Sequence, residues 1–116
     1  MGREKPGPTP RMTQATLAVL RALSEKPSED MYGLQICSAA GLPSGTIHPI
    51  LARLETAGWL DSFWEDIDPK QEGRPRRRYY RLSPNGNARA HNALARAEAN
   101  RDSLRLRPAQ AGGSTA

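Results

Sequence analysis

The chain has 116 residues, of which 37% are hydrophobic and 25% are charged, and its 17 basic and 12 acidic residues give a net charge of +5. This length accommodates one small domain and excludes a large multidomain enzyme. Most of the basic residues are arginines, which bind phosphates through paired hydrogen bonds, so the charge favours a polyanionic partner.

The single cysteine, Cys37, excludes an internal disulfide and a cysteine-based zinc site. Its position in an apolar helical pattern predicts a buried thiol and a reducing compartment. The sequence has no run of about 20 apolar residues and no apolar stretch at its N-terminus. We therefore expect a cytoplasmic protein with no membrane partner.

The first ten residues are rich in proline, glycine and charge, which predicts a flexible arm over residues 1–9. One interpretation is that Arg3, Lys5 and Arg11 contact a DNA backbone, and the alternative is a disordered arm that makes no contact. A helix is predicted from about Thr9 to Ser24. The residues expected on its buried face are Met12, Thr16, Val19, Leu20 and Leu23.

A second helix is predicted to begin at an N-cap formed by Ser28, with Glu29 and Asp30 in its first turn, and to end at Gly41. The residues expected to face inward are Met31, Tyr32, Ile36 and either Ala39 or Ala40.

The third predicted helix spans residues 44–57, with either Ser44 or Thr46 as its cap. If Thr46 is the cap, Pro49 falls in the first turn, where its missing N–H costs least. The apolar stripe consists of Ile47, Ile50, Leu51 and Leu54. The opposite side carries Gly45, Pro49, Ala52 and Thr56, flanked by Thr46, His48 and Arg53.

That opposite side is small, polar and almost free of acidic residues, which suits close approach to a DNA groove. The second and third helices, joined by a turn of about three residues, form a predicted helix-turn-helix. The alternative is an antiparallel helix pair that serves only for packing.

Two extended runs follow, residues 59–65 and 75–82, joined by a polar loop from Asp66 to Arg74, and they predict an antiparallel hairpin, or wing. Acidic residues dominate the first half of the wing, and five arginines occupy residues 73–81 without an acid. We expect Arg78 or Arg81 to pair with the acidic strand opposite, and Arg74, Arg76 and Arg77 to stay free for DNA.

Three segments together resemble the PadR family of bacterial winged-helix transcriptional regulators. They are residues 32–36 (YGLQI), 44–60 (SGTIHPILARLETAGWL) and 73–86 (GRPRRRYYRLSPNG), in the family's order, and the similarity extends over residues 12–95. The family usually has tyrosine before the proline of its third helix, where this sequence has His48. The resemblance implies a homodimeric repressor that places the third helix in the major groove of an inverted-repeat operator and the wing on the minor groove.

The resemblance also implies a winged helix-turn-helix domain at residues 10–84 and a C-terminal dimerisation helix at 85–107. The small residues of 108–116 predict a disordered tail. Ser83–Gly86 is predicted to be a turn before that helix. The alanine-rich stripe of the helix is weakly apolar, so we expect Met12, Leu17 or Leu20 of the first helix to join the dimer interface. Some family members bind phenolic acids or planar hydrophobic drugs, which implies a small hydrophobic or phenolic effector here.

The predicted fold is therefore mainly α with a β-hairpin, and the predicted partner is double-stranded DNA. The predicted DNA-binding residues are Ser44, Gly45, Thr46, His48, Pro49, Arg53, Arg74, Arg76 and Arg77. One alternative is an architectural or recombination accessory DNA-binding protein of a mobile element. Another is a winged helix that contacts only protein, which the arginine run disfavours.

An enzyme is not expected. The two histidines, His48 and His91, are far apart in sequence, Cys37 has no neighbouring base, and the glycines punctuate helices rather than forming a phosphate-binding loop. The sequence predicts no catalytic residue, no cofactor and no metal site.

Overall fold

A computed structural model describes residues 9–106 of the chain. The predicted arm, apart from Thr9, and the predicted tail lie outside these residues. The elements in chain order are α1 (Gln14–Glu25), β1 (Met31–Tyr32), α2 (Gly33–Ala40), α3 (Ser44–Thr56), β2 (Leu60–Trp64), α4 (Pro69–Glu72), β3 (Arg78–Leu82) and α5 (Pro84–Leu106). The strands form one antiparallel sheet in the order β1-β3-β2.

This arrangement confirms the predicted mainly α fold with a hairpin wing. The core lies where α1, α2 and α3 meet the inner face of the sheet, and its fully buried residues include Leu20, Ile36, Ile47 and Leu54. None of the helices in residues 9–106 has the length and apolarity that crossing a bilayer requires.

α1 begins later than predicted because Thr13, whose hydroxyl accepts a hydrogen bond from the backbone N–H of Thr16 at 3.1 Å, forms its N-cap. The predicted inward residues Thr16, Val19, Leu20 and Leu23 are all buried. Cys37, in contrast, is only half-buried, so the expectation of a buried thiol is wrong.

The predicted start of the second helix is also wrong. Ser28 caps no helix, and Met31 and Tyr32 form β1, which pairs with Tyr80 and Tyr79 of β3. α2 begins only at Gly33, after Tyr32 has donated its backbone N–H to the side chain of Gln35. Pairing with a strand distant in sequence therefore prevails over the local helix signals.

The turn between α2 and α3 has three residues, as predicted, and begins at Gly41. Gly41 has a φ of +71°, in the left-handed region that favours glycine, and its N–H donates to the carbonyl of Cys37 at 2.8 Å. Neither Ser44 nor Thr46 caps α3, because the extended residue Pro43 holds the N-cap position. Pro49 therefore lies inside the helix rather than in its first turn.

The predicted turn at Ser83–Gly86 is instead the first turn of α5. The Ser83 hydroxyl accepts from the N–H of Gly86 at 2.9 Å and donates to the carbonyl of Gly58 at 2.7 Å, while Pro84 occupies the first helical position. A Cβ atom at Gly86 would collide with the backbone of Trp59, so only glycine fits there. These contacts fix α5 to the end of α3 and the start of β2.

Candidate nucleic-acid interface

The outer face of α3 is the side turned away from the core. The predicted apolar stripe of Ile47, Ile50, Leu51 and Leu54 is buried, with at most 3% of any of these residues exposed. The opposite side is open, as predicted. Its exposed residues are Ser44, Gly45, His48, Pro49, Ala52, Arg53 and Thr56, and Thr46 is half-buried beside them. An unobstructed surface of small and polar side chains can approach another molecule closely.

The N-terminus of α3 offers unpaired backbone donors. Because Pro43 has no side-chain acceptor, the N–H groups of Ser44 and Gly45 have no acceptor among the described residues. The next two N–H groups, of Thr46 and Ile47, both donate to the carbonyl of Pro43 at 3.0 and 3.1 Å. Free N–H groups at the positive end of a helix dipole favour an anion.

His48 lies against the start of α2. A Cβ atom at Gly33 would be 3.3 Å from Cε1 of the His48 ring, so the ring packs over Gly33 and a side chain there would displace it. The histidine that replaces the family's usual tyrosine thus lies at the junction of α2 and α3 and remains exposed.

The wing tip is more ordered than the predicted polar loop. It contains the short helix α4, capped by Asp68, whose carboxylate accepts from the N–H of Lys70 at 3.0 Å. Arg74 makes two hydrogen bonds to the Glu65 carboxylate, at 2.7 and 2.9 Å. The expectation that Arg74 stays free is therefore wrong, because Glu65, the residue that follows β2, lies directly beside it.

The Glu65 carboxylate also accepts from the backbone N–H of Arg77 at 3.2 Å. The side-chain hydrogen bonds from Arg74 lower the pKa of Glu65 to about 2, against a smaller opposing effect of burial. Glu65 therefore stays ionised at all physiological pH values and holds both sides of the tip together.

Arg76 and Arg77 form no ion pair among the described residues. The Nε of Arg76 donates to the carbonyl of Ile67 at 3.0 Å, which leaves its terminal nitrogens available. The guanidinium of Arg77 lies 4.2 Å from the centre of the Tyr32 ring, in a cation–π contact that leaves its charge unneutralised. Of the five arginines in residues 73–81, these two form no ion pair among the described residues.

Arg78 and Arg81 do pair with acidic residues, but not with those of the opposite strand. Arg78 contacts Ser62 at 2.8 Å and Glu55 of α3 at 3.4 Å, and Glu55 also accepts from the Ser62 hydroxyl at 2.6 Å. Arg81 pairs at 2.6 Å with Asp30, which precedes β1. The predicted partner was wrong in both cases because α3 and β1 pack beside the hairpin.

An aromatic row on the outer face of the sheet was not predicted. Tyr79 of β3 lies between Tyr32 and Phe63, with ring centres 5.5 and 5.9 Å away, and Arg77 covers Tyr32. The alternation of the hairpin places Phe63 and Tyr79 on corresponding faces, but the sequence has no signal for β1, which brings Tyr32 alongside them.

A groove of about 510 Å³ lies between the segment before α1 and the outward side of α5. Its walls include Met12 and Trp59 and the α5 residues Ala93, Ala97 and Leu104, interspersed with arginines and asparagines. Of the residues predicted to join a dimer interface, Leu20 is fully buried in the core, Leu17 is buried but lines this groove, and the half-buried Met12 lines it as well. The dimer interface itself stays a prediction.

Comparison with known proteins agrees with this geometry. Residues 19–92 match the sequence profile of the transcriptional regulator PadR-like family. No curated protein shows a significant match to the sequence.

Solved structures resemble the chain over most of its length. A PadR family transcription regulator from Clostridium difficile R20291 has a TM-score of 0.65 at 19% identity, covering 80% of this chain and 96% of that one. The protein smu.1704 of Streptococcus mutans UA159 has a TM-score of 0.64 at 26% identity, covering 78% and 84%. The PcaV transcriptional regulator of Streptomyces coelicolor, solved with its natural ligand, has a TM-score of 0.61 at 31% identity, covering 84% and 62%.

Proposed function

The chain belongs to the PadR-like family of transcriptional regulators, and from that premise we propose that it is a homodimeric repressor, acting in the cytoplasm, that binds an inverted-repeat operator. The observation that carries the proposal is the outer face of α3, which is exposed, free of acidic residues and open at its N-terminus. An α-helix with these properties fits the major groove of B-DNA.

The roles proposed for the DNA-binding residues of that surface follow from their positions along the helix. The free N–H groups of Ser44 and Gly45 bind a backbone phosphate at the helix N-terminus. Thr46, His48 and Pro49 lie where the helix meets base edges, with the imidazole and the hydroxyl as the polar groups. Arg53, one turn further along, binds a phosphate of the flanking strand.

The wing supplies the second contact. Arg76 and Arg77 carry unneutralised charge and approach the minor groove or its phosphates. Arg74, whose guanidinium is engaged by Glu65, acts by holding the tip in shape and reaches DNA only through its outer edge.

The groove between the segment before α1 and α5 supports the dimeric assembly. Its accessible apolar side chains, among them Met12, Ala97 and the largely exposed Leu104, suit packing against α5 of a second copy. Two such copies give the two-fold symmetry that an inverted repeat requires. The volume also suits a small hydrophobic or phenolic effector, and PcaV is a structural neighbour that binds a ligand.

The test is a titration of the purified chain against duplex DNA from its own upstream region and against random duplex of equal length, at two salt concentrations, with mass determination of the complex. We expect a preference of about a thousandfold for the upstream duplex, with two chains per site. Equal binding of both duplexes that is lost together at higher salt would favour an architectural DNA-binding protein instead.

Two single variants sharpen the test. Thr46→Ala and His48→Ala should reduce the preference for the upstream duplex by about tenfold while leaving random binding nearly unchanged, because they remove groups at base edges rather than at phosphates. An equal loss on both duplexes would contradict the assignment of these residues to sequence readout.

A further inference from the structure

A mainly apolar depression flanked by two arginines borders the outer face of α3. A shallow depression of about 390 Å³ lies between the segment that precedes α1 and the C-terminal half of α3. Its lining residues, none of which is acidic, are Thr9, Pro10, Arg11, Ala52, Arg53 and Thr56.

Arg11 and Arg53 reach this depression from two parts of the chain that are remote in sequence. Both residues are exposed, and neither forms an ion pair among the described residues. The surface of the depression is mainly apolar, so the two arginines line it chiefly with their aliphatic stems. Their guanidinium groups have no carboxylate partner among the described residues and remain available to an anion.

The depression is continuous with the surface proposed to enter the major groove, because Ala52 and Thr56 belong to both. A helix about 10–12 Å across fills a groove about 12 Å wide, so the two sugar–phosphate backbones run directly beside it. A chain segment adjacent to the helix therefore meets a backbone rather than base edges.

We propose that this depression binds a phosphodiester of the DNA backbone, with Arg11 and Arg53 on the phosphate oxygens and Pro10 and Ala52 against the neighbouring deoxyribose. The inference rests on the proposed function and extends it, because it adds a contact from outside the helix-turn-helix and the wing. Such a contact carries no sequence information and fixes the position of α3 in the groove.

The experiment measures the binding of Arg11→Ala to the upstream and random duplexes over a series of salt concentrations. The control is Arg21→Ala, which removes the same charge from an exposed position of α1. Arg21 lines neither the depression nor the groove between the segment before α1 and α5. We expect Arg11→Ala to weaken binding to both duplexes alike, by about three- to tenfold, and to reduce the salt slope by about one. Arg21→Ala should leave the slope nearly unchanged.

The double variant Arg11→Ala/Arg53→Ala tests whether the two arginines share one phosphate. If they do, the double variant loses less affinity than the product of the two single losses. Arg11→Ala that behaves like Arg21→Ala would overturn the inference while leaving the proposed function intact. A wild-type chain that binds neither duplex would overturn both. Unchanged melting temperatures of all variants establish that the exposed substitutions leave the fold intact.

Discussion

The outer face of α3 and the wing both carry side chains that can bind DNA, but they differ in how many of these side chains are engaged within the chain. On α3, the exposed residues make few contacts within the chain, so that their polar groups remain available. On the wing, three of the five arginines are bound to carboxylates, which come from the residue after β2, from α3 and from the residue before β1.

The difference shows that neighbouring arginines in one run can have two roles: some form ion pairs within the chain, and others keep their charge for a partner. Arg74 and Arg78 hold the hairpin tip and join the wing to α3, whereas Arg76 and Arg77 retain free charge. The ion pairs of the wing connect its tip and its strands to neighbouring segments of the chain. The exposed residues of the outer face of α3 form no such pair within the part of the chain that the structure describes, and the buried stripe on the opposite side of the helix fixes their orientation.

The largest expected effect follows from placing an acidic group on the outer face of α3. Ala52→Glu brings a carboxylate next to the proposed phosphates and should weaken binding to both duplexes by about 100-fold or more, since like charges at an interface cost several kcal/mol. Ala52→Gln is a matched control because glutamine has a similar size and helix propensity to glutamate, and it should lose much less affinity than Ala52→Glu. Fluorescence anisotropy titrations measure both, and equal losses would indicate a steric effect rather than a charge effect.

A smaller effect is expected from the free arginines of the wing. The variant Arg76→Ala/Arg77→Ala should weaken binding to both duplexes by about tenfold and lower the salt slope by about two, because two phosphate contacts are lost. Arg74→Ala, which removes the same type of side chain from an internal ion pair, should change the salt slope by less than one. If Arg74→Ala lowered the salt slope by as much as each substitution in the double variant, the distinction between an ion-paired Arg74 and free Arg76 and Arg77 would be wrong.

The smallest effect concerns the internal pair itself. Because the pKa of Glu65 is lowered from 4.5 to about 2 in the folded chain, its ion pair contributes stability at pH values above about 4.5, and this contribution is lost as the pH falls towards 2. Thermal melting of Glu65→Gln should therefore show a lower melting temperature than the wild type at neutral pH and a gap that closes between pH 4.5 and 2. A gap that is constant over this range would exclude an electrostatic origin.

Local patterns in the sequence predicted the presence of α1, α2, α3 and α5, the hairpin and the face of α3 that stays open, but not α4 or the start of α2. The stripe of Ile47, Ile50, Leu51 and Leu54 could be predicted because helical periodicity and burial depend on residues close in sequence. The left-handed cap at Gly41 is a local property in the same way.

Only the tertiary structure decided which charged residues are paired and which residues of a predicted helix form a strand instead. The partners of Arg78, Arg81 and Tyr32 come from distant segments, and the pairing of β1 with β3 withdrew Met31 and Tyr32 from α2. The depression bordered by Arg11 and Arg53 likewise exists only because the segment that precedes α1 lies beside the C-terminal half of α3. Ion pairs and surface sites depend on distances in space between segments, and neither periodicity nor local propensity contains those distances.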